Sequence, residues 1–290
     1  MALARRLVLL PLLAVLALTT GCLDYREHLL LEKDGSGLLK IDFVVDLGIL
    51  NDISAALGEK PDPNATKGPS KEEVLQGLEV EGIKVKELDI QQKDARSKVH
   101  IVLAFKDADA LSQMEGFGDD RRIDYYDEGD GKVRVVYSFD TKDQLPMEEF
   151  GEAGTKPEDM DPIEKKIVAL TSAAREKIRF RSRVTLPGPI LKATGVKDPR
   201  EPKENERVWL IDKERDPKKH ARLGKGKLRM QMIVDRETVP WVKELKPLPK
   251  YMQGKKGDEE VEGDDGPKEP KPPKKKDPKV VPKGPGGLGD

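Results

Sequence analysis

The fold is decided by residues 29–45, which run LLLEKDGSGLLKIDFVV. In the second half of this stretch, apolar side chains at every other position alternate with Lys40, Asp42 and Val44, so one face is apolar and the other mostly polar. The Asp-Gly-Ser-Gly between the halves is typical of a tight turn, and no helix start follows it, which argues against a phosphate-binding loop. The stretch therefore predicts a β-hairpin.

The same alternation recurs along the chain and predicts further strands. It is found at residues 99–105, 133–139, 178–186, 208–211 and 228–234. Together with the hairpin, these segments predict a mostly antiparallel sheet of about seven strands. A few helices would cover one face of this sheet, so the expected fold class is α+β.

Three segments predict helices. Ser70 and Glu73 form a capping box, and Asp109, Leu111 and Met114 indicate one short helix. The longest helix is predicted from Pro162 to about Lys177, with Asp161 as its N-cap. Its apolar stripe has the spacing of one helix face and consists of Ile163, Ile167, Leu170 and Ala174.

The N-terminus has the three parts of a secretory leader. Arg5 and Arg6 supply the charged start, residues 7–18 are apolar, and a short run of small residues ends at Gly21. The apolar run is too short to cross a bilayer core of about 30 Å as a helix. We therefore predict that residues 1–21 are a signal peptide and not a permanent anchor.

The leader ends at Cys22, which is the single cysteine of the chain. This arrangement resembles the lipobox of bacterial lipoproteins, although Thr19 and Thr20 replace the commoner residues there. The resemblance implies cleavage between Gly21 and Cys22, and acylation of Cys22. Two or three acyl chains anchor a protein stably, and acylation removes an otherwise unpaired thiol. The alternative is an ordinary thiol after an ordinary leader.

Leu23 follows the cysteine where an aspartate would favour retention at the inner membrane. By the same resemblance, this implies the periplasmic face of the outer membrane if the organism has two membranes. The expected location is therefore the cell envelope, with lipid on Cys22 holding the protein to a membrane.

Several patches of the chain together resemble the LppM-like lipoprotein domain over about residues 22–234. The patches are residues 21–24, the turn at 34–37, the segment 180–188 and Val208-Trp209. This resemblance implies a small α+β domain on the envelope side of a membrane, with interaction or lipid-related roles and no catalytic motif. The long charged loops of this chain depart from that family.

The C-terminal part differs in composition from the rest. Residues 246–290 are rich in Pro, Gly, Lys, Asp and Glu and have few apolar residues, which predicts a disordered tail after an exported domain at 22–245. This tail is either a solvated spacer or a contact with anionic lipid, cell-wall polymer or a partner. The candidate contact residues are Lys271, Lys274, Lys275, Lys276 and Lys279.

No enzyme motif or metal-ligand spacing is present in the sequence. The three histidines, His28, His100 and His220, lie far apart along the chain and are expected to be surface or sheet residues, so we predict no metal site and no cofactor. Lys and Arg number 53 against 54 Asp and Glu, which argues against a nucleic-acid partner. We therefore predict a non-catalytic envelope lipoprotein that binds a protein, lipid or cell-wall component.

The alternative is a hydrolase that acts on an envelope polymer through surface carboxylates. Its candidate acidic pairs are Asp119-Asp120, Glu148-Glu149 and Glu158-Asp159. Trp209 and Trp241 are the candidates for sugar stacking, although burial within a sheet is the commoner fate of tryptophan.

Overall fold

The computed structural model describes residues 24–60, 67–76, 78, 80–114, 121–140, 160–195, 203–220, 223 and 227–252. Within them, eleven strands form two sheets. The first sheet has six strands in the order β3-β4-β2-β1-β7-β9, and the second has five in the order β11-β5-β6-β10-β8. The strands are β1 Asp24–Leu31, β2 Gly37–Asp46, β3 Ile83–Lys93, β4 Arg96–Phe105, β5 Arg122–Gly129, β6 Lys132–Asp140, β7 Arg179–Thr185, β8 Ile190–Ala193, β9 Glu206–Ile211, β10 Lys227–Asp235 and β11 Lys246–Pro247.

Five α-helices lie between the strands of the described part. They are α1 Gly48–Ala56, α2 Lys71–Gln76, α3 Ala108–Ser112, α4 Pro162–Glu176 and α5 Pro217–His220. Short 3-10 turns follow at Arg236–Thr238 and Lys250–Met252. The predicted α+β class is confirmed, and the strands are divided between two sheets where the sequence predicted one.

The hairpin predicted from residues 29–45 is present. β1 pairs with β2 in antiparallel register from Asp24 opposite Val44 to Leu31 opposite Gly37. In the turn, the Asp34 carboxylate accepts a hydrogen bond from the backbone amide of Ser36 at 3.0 Å. β1 also pairs in parallel with β7, so the start of the hairpin lies in the middle of the first sheet.

Four strands that the sequence did not predict lie at or near sheet edges. β3 carries a register shift between Val85 and Glu87, which breaks the period of two. β5 has a shift between Asp127 and Gly129, while β8 and β11 have only four and two residues. Edge strands face water on more sides than central ones, so their alternation is weak.

The predicted helix starts have the expected caps. The Ser70 hydroxyl accepts from the Glu73 amide at 3.2 Å, and the Glu73 carboxylate accepts from the Ser70 amide at 2.7 Å. The Asp161 carboxylate accepts from the amides of Ile163 and Glu164, at 2.7 and 2.8 Å. Ile163 differs from the expected stripe because it is exposed, so the buried face of α4 begins at Ile167.

The inward faces of both sheets contribute to one hydrophobic core. Leu29, Leu39 and Ile101 come from the first sheet, and Val135 and Met232 come from the second. All five have no accessible surface. Burying such side chains contributes about 1.5–3 kcal/mol each relative to leaving them in water.

Ordered structure continues beyond residue 245, where the sequence predicted the tail to begin. β11 pairs with β5, and Met252 is buried. The Arg229 guanidinium lies 5.5 Å from the centre of the Tyr251 ring. The chain therefore contacts the second sheet as far as Tyr251, and the Met252 side chain is buried. The composition of this segment does not indicate the burial, because it depends on a single apolar side chain. No helix in the described ranges has the length and apolar content of a membrane span.

Candidate functional site

A buried polar cluster joins the two sheets around Glu27 of β1. The Glu27 carboxylate accepts from Nη1 of Arg121 at 2.7 Å and from the Ser182 hydroxyl at 2.6 Å. The Tyr25 and Tyr137 hydroxyls donate to its Oε2 at 3.1 and 3.3 Å. Glu27 and Ser182 belong to the first sheet and Tyr137 to the second, while Arg121 immediately precedes β5.

Arg121 is the centre of this cluster. Its side chain is only 1 % exposed and that of Glu27 is fully buried. Arg121 donates through Nη2 to the Tyr25 hydroxyl at 2.5 Å and through Nη1 to the Tyr137 hydroxyl. Burial alone lowers the pKa of Arg121, but the neighbouring Tyr137, Tyr25 and Glu27 raise it well above its usual value. The arginine is therefore charged at every physiological pH.

The tyrosine hydroxyls of the cluster are held in their neutral form. Burial raises the pKa of Tyr137 well above its ordinary value, and it also raises the pKa of Tyr25. The Tyr25 ring stacks on Phe180 of the neighbouring strand, with ring centres 5.3 Å apart. A neutral hydroxyl can donate to Glu27, so the cluster is an arrangement of four donors on one carboxylate.

The hydrogen bonds of this cluster hold the two sheets together, and the groups that make them are not accessible to a substrate. The Ser182 side chain has no accessible surface, and the carboxylate that could act as its base already accepts bonds from Arg121 and both tyrosines. A general base must reach a substrate proton, and this one is enclosed by protein. No sequence pattern indicated the cluster, because its members come from segments that lie far apart along the chain.

A second connection between the sheets is made by Trp209 of β9. Its indole Nε1 donates to the Thr194 hydroxyl at 3.0 Å, and a Cβ placed at Gly195 would lie 2.6 Å from the indole ring. Trp209 is 7 % exposed. Trp241 packs on Gly35 of the hairpin turn in the same way. Trp209 is thus buried within a sheet, which is the commoner of the two fates considered from the sequence, whereas Trp241 is half-buried and lies in a turn outside the strands.

The three histidines lie at separate places. His28 is on β1, where its Nε2 lies 2.8 Å from the Thr185 hydroxyl. His100 is on β4, with its Nδ1 2.8 Å from the carboxylate of Asp42. His220 ends α5 and is buried, unlike the surface or sheet position expected for it. Across the described segments, no group of three or more His, Cys, Asp or Glu side chains could hold a metal ion.

Most of the sequence-predicted site residues fall outside the described residues. These are Gly21 and Cys22, the tail lysines 271, 274, 275, 276 and 279, and the acidic pairs at 119–120, 148–149 and 158–159. The first residue that the structure describes is Asp24. β1 begins at Asp24, two residues after Cys22.

We name the end of the first sheet where β1 begins the anchor end. The pairings of Asp24 with Val44 and Arg179 bring the end of β2 and the start of β7 to this end. The β3–β4 turn and the end of β9 lie here as well. The opposite end, here named the turn end, holds the β1–β2 turn and the β5–β6 turn. Trp241 packs on Gly35 of the first turn, and the backbone amide of Arg236 donates to the carbonyl of Gly131 in the second.

The structure thus defines an α+β domain of two packed sheets tied by buried polar contacts. No family model matches the chain, and no curated protein matches it. Among solved structures, it is similar to the folded domain of LppM from Mycobacterium tuberculosis, determined by NMR. The likeness covers 75% of this chain and 91% of that one, at 11% sequence identity and a TM-score of 0.36. At these values, residue roles do not transfer between the two proteins.

Proposed function

We propose that this chain is a non-catalytic lipoprotein of the cell envelope, held to a membrane by lipid on Cys22. The observation that carries the proposal is the position of the single cysteine, directly after a secretory leader and directly before the fold. Since β1 begins at Asp24, only Leu23 separates the cysteine from the first strand. In an organism with two membranes, Leu23 favours the periplasmic face of the outer membrane.

The exported domain acts by binding a protein, a lipid or a cell-wall component. The central polar cluster does not offer a catalytic pair to a substrate, because Glu27 and Ser182 are enclosed and bonded to each other. The carboxylate pairs of the hydrolase alternative lie outside the described residues. No observation on the described residues favours that alternative.

The basic run of the tail is a second candidate for binding an envelope component. Met252 is buried, and the basic run at Lys271, Lys274, Lys275, Lys276 and Lys279 follows after it. Basic runs beside an anionic membrane contribute about 1 kcal/mol per charge. Of the tail's candidate partners, anionic lipid is the one already close to a protein anchored at Cys22.

The test is the intact mass of the membrane-associated protein beside a Cys22→Ala variant. We expect the native protein to lack residues 1–21 and to carry acyl mass on Cys22, and the variant to lose both that mass and membrane association. A mature protein without acyl mass, or one that keeps its leader, contradicts the proposal. A Ser182→Ala variant serves as a matched control, because its change lies inside the fold and leaves the anchor unaltered.

A further inference from the structure

The closeness of Cys22 to β1 limits how the domain can be oriented. A fully extended chain spans at most about 3.3–3.6 Å per residue. Since Cys22 precedes Asp24 by two residues, an acylated Cys22 lies within about 7 Å of the start of β1. If Cys22 carries the lipid, as proposed above, the anchor end is therefore the part of the domain nearest to the membrane.

The anchor end is rich in basic side chains. Those at the strand termini and in the adjoining turns are Arg26, Lys93, Arg96, Lys98, Lys177, Arg179, Arg181 and Lys213. The acidic ones in the same positions are Asp24, Asp42, Asp46, Asp94, Glu176 and Asp212, and Glu176 is ion-paired with Lys213. Asp24 pairs with Arg26 at 2.7 Å, and Asp46 pairs with Arg96 at 3.3 Å, so these carboxylates neutralise part of the positive charge.

Three lysines of the anchor end lie on different elements and are all exposed. Lys93 is at the end of β3, Lys98 is near the start of β4, and Lys177 follows α4. The adjacent Arg179 is exposed as well. An ammonium group in water is free to meet an anionic surface, and the interaction acts within a Debye length of about 8 Å at physiological salt.

The turn end has the opposite charge balance. Its acidic side chains are Glu32, Asp34, Asp127, Glu128, Asp130, Asp235 and Glu237. The basic side chains of its two turns are Lys33, Lys132, Arg134 and Arg236, and Arg236 donates to the backbone carbonyls of Val239 and Val242. The strand ends of the first sheet at this end add Lys84, Lys106, Lys203 and Arg207 together with Glu81, Asp107, Glu204 and Glu206, so the acidic excess comes from the two turns. Although the whole chain has a formal net charge of only −1, the described strand ends and turns are therefore polarised along the strands.

We infer that the domain docks on its own membrane by the anchor end, with the exposed basic side chains against anionic phospholipid headgroups and the acidic turn end pointing away. The lipid on Cys22 supplies attachment, and the charge asymmetry supplies orientation. This inference goes beyond the proposed anchor, because a lipidated domain could equally rotate about its attachment point without a preferred face towards the membrane.

The experiment compares lysine reactivity along the domain. The acylated full-length mature protein is reconstituted into vesicles of phosphatidylcholine, with or without phosphatidylglycerol, and labelled with an amine-reactive reagent. Labelling of each lysine is then quantified by mass spectrometry. We expect Lys93, Lys98 and Lys177 to be labelled several-fold more slowly on the anionic vesicles, whereas Lys33 and Lys132 keep their rates. High salt should remove the difference, because it screens exposed charges.

Charge reversals test the surface directly. Lys177→Glu with Arg179→Glu should restore rapid labelling of Lys93 and Lys98 on anionic vesicles. The matched control, Lys33→Glu with Lys132→Glu at the turn end, should leave their protection unchanged. All four side chains are exposed, so both variants should fold, and their thermal unfolding provides the check.

The outcomes separate this inference from the proposed anchor. If the intact mass shows no acyl group, the anchor itself fails and the docking inference fails with it. If acyl mass is present and all lysines are labelled equally on both kinds of vesicle, the docking inference alone is overturned. Slower labelling of Lys33 and Lys132 in place of the anchor-end lysines would overturn it as well.

Discussion

Glu27 and Arg121 form a buried ion pair, with 2.7 Å between Oε2 and Nη1, and they join the two sheets. Removing one partner of such a pair leaves a charge without compensation in the core, which costs about 3–5 kcal/mol. We therefore expect Glu27→Gln to lower the free energy of unfolding by about that amount in a urea titration.

An exposed ion pair on the same strand provides the control for Glu27→Gln. Asp24 and Arg26 are 2.7 Å apart at the surface, and exposed pairs contribute at most about 1 kcal/mol. Asp24→Asn should accordingly change stability little. Equal losses in the two variants would show that the buried pair does not tie the sheets together.

Gly35 allows the hairpin turn to approach Trp241. Its φ of +88° disfavours any other residue, and a Cβ there would lie 2.5 Å from Cδ1 of Trp241. Gly35→Ala should thus combine backbone strain with displacement of the indole ring. We expect a loss of about 2–4 kcal/mol in the free energy of unfolding, accompanied by a change in tryptophan fluorescence.

Gly58 is the matched control for this substitution. Its φ is +73°, but nothing lies within 4 Å of the position that a Cβ would occupy. Gly58→Ala should show the backbone strain alone, about 1 kcal/mol. If Gly35→Ala costs no more than Gly58→Ala, the indole contact does not hold the turn.

His28 predicts a dependence of stability on pH. Burial, with smaller contributions from Arg183, Lys40 and Lys203, lowers its pKa from 6.5 to about 4. Between these pH values, the unfolded chain binds a proton on His28 that the folded chain does not, so stability falls as the pH falls. The loss is complete below about pH 4. The full difference in pKa corresponds to about 3.5 kcal/mol at about 1.4 kcal/mol per pKa unit, and the loss should be smaller because His28 is only partly buried and solvent screens its charge.

The measurement for His28 is the urea midpoint of wild type and His28→Gln at several pH values from 7 to about 4. Acidic groups titrate in both proteins, so their effect cancels in the difference between the two. The variant should lose less stability than the wild type over this range. Parallel curves would mean that His28 protonates equally in the folded and unfolded chains.

Two truncations test where the folded domain ends. Removal of residues 253–290 should leave the unfolding temperature unchanged, because this segment is rich in Pro, Gly and charged residues and has few apolar side chains to bury. Removal of residues 246–290 also deletes β11, the buried Met252 and the contact of Tyr251 with Arg229. We expect this shorter form to be less stable by about 2–4 kcal/mol. Identical unfolding of the two forms would place the boundary at 245.

The tail lysines predict salt-dependent contact with anionic lipid. Replacement of Lys271, Lys274, Lys275, Lys276 and Lys279 by Gln should weaken binding of the non-acylated mature chain, Cys22→Ser, to phosphatidylglycerol vesicles. At about 1 kcal/mol per charge, the loss should reach at least tenfold at low salt. Replacement of the tail's acidic residues 258–260 by Gln is the control and should not weaken binding. An unchanged affinity in the lysine variant would indicate a spacer.

Local sequence patterns were sufficient for the elements in the middle of the fold. The turn at Asp34–Gly37, the cap at Asp161 and the capping box of Ser70 and Glu73 depend on residues that are neighbours in the chain, so their chemistry is visible in the sequence. The central strands alternate clearly because one of their faces is buried in the core.

The division into two sheets depended on contacts that no local pattern contains. Strands at or near sheet edges, such as β3 and β5, lose their period of two at register shifts. Ile163 has the spacing of a buried residue but is exposed. Hydrophobic spacing shows which side chains can be buried together, whereas the packing of the whole chain decides which of them are.

The sequence by itself determined the fold class, the central hairpin, the helix starts and the predicted anchor at Cys22. Only the tertiary structure brought Glu27, Arg121, Tyr137 and Ser182 together, placed the tryptophans in the packing, and separated the basic anchor end from the acidic turn end. The physical reason is distance along the chain. A cap or a turn is complete within a few residues, but a buried charge gains its partner only when distant strands have paired.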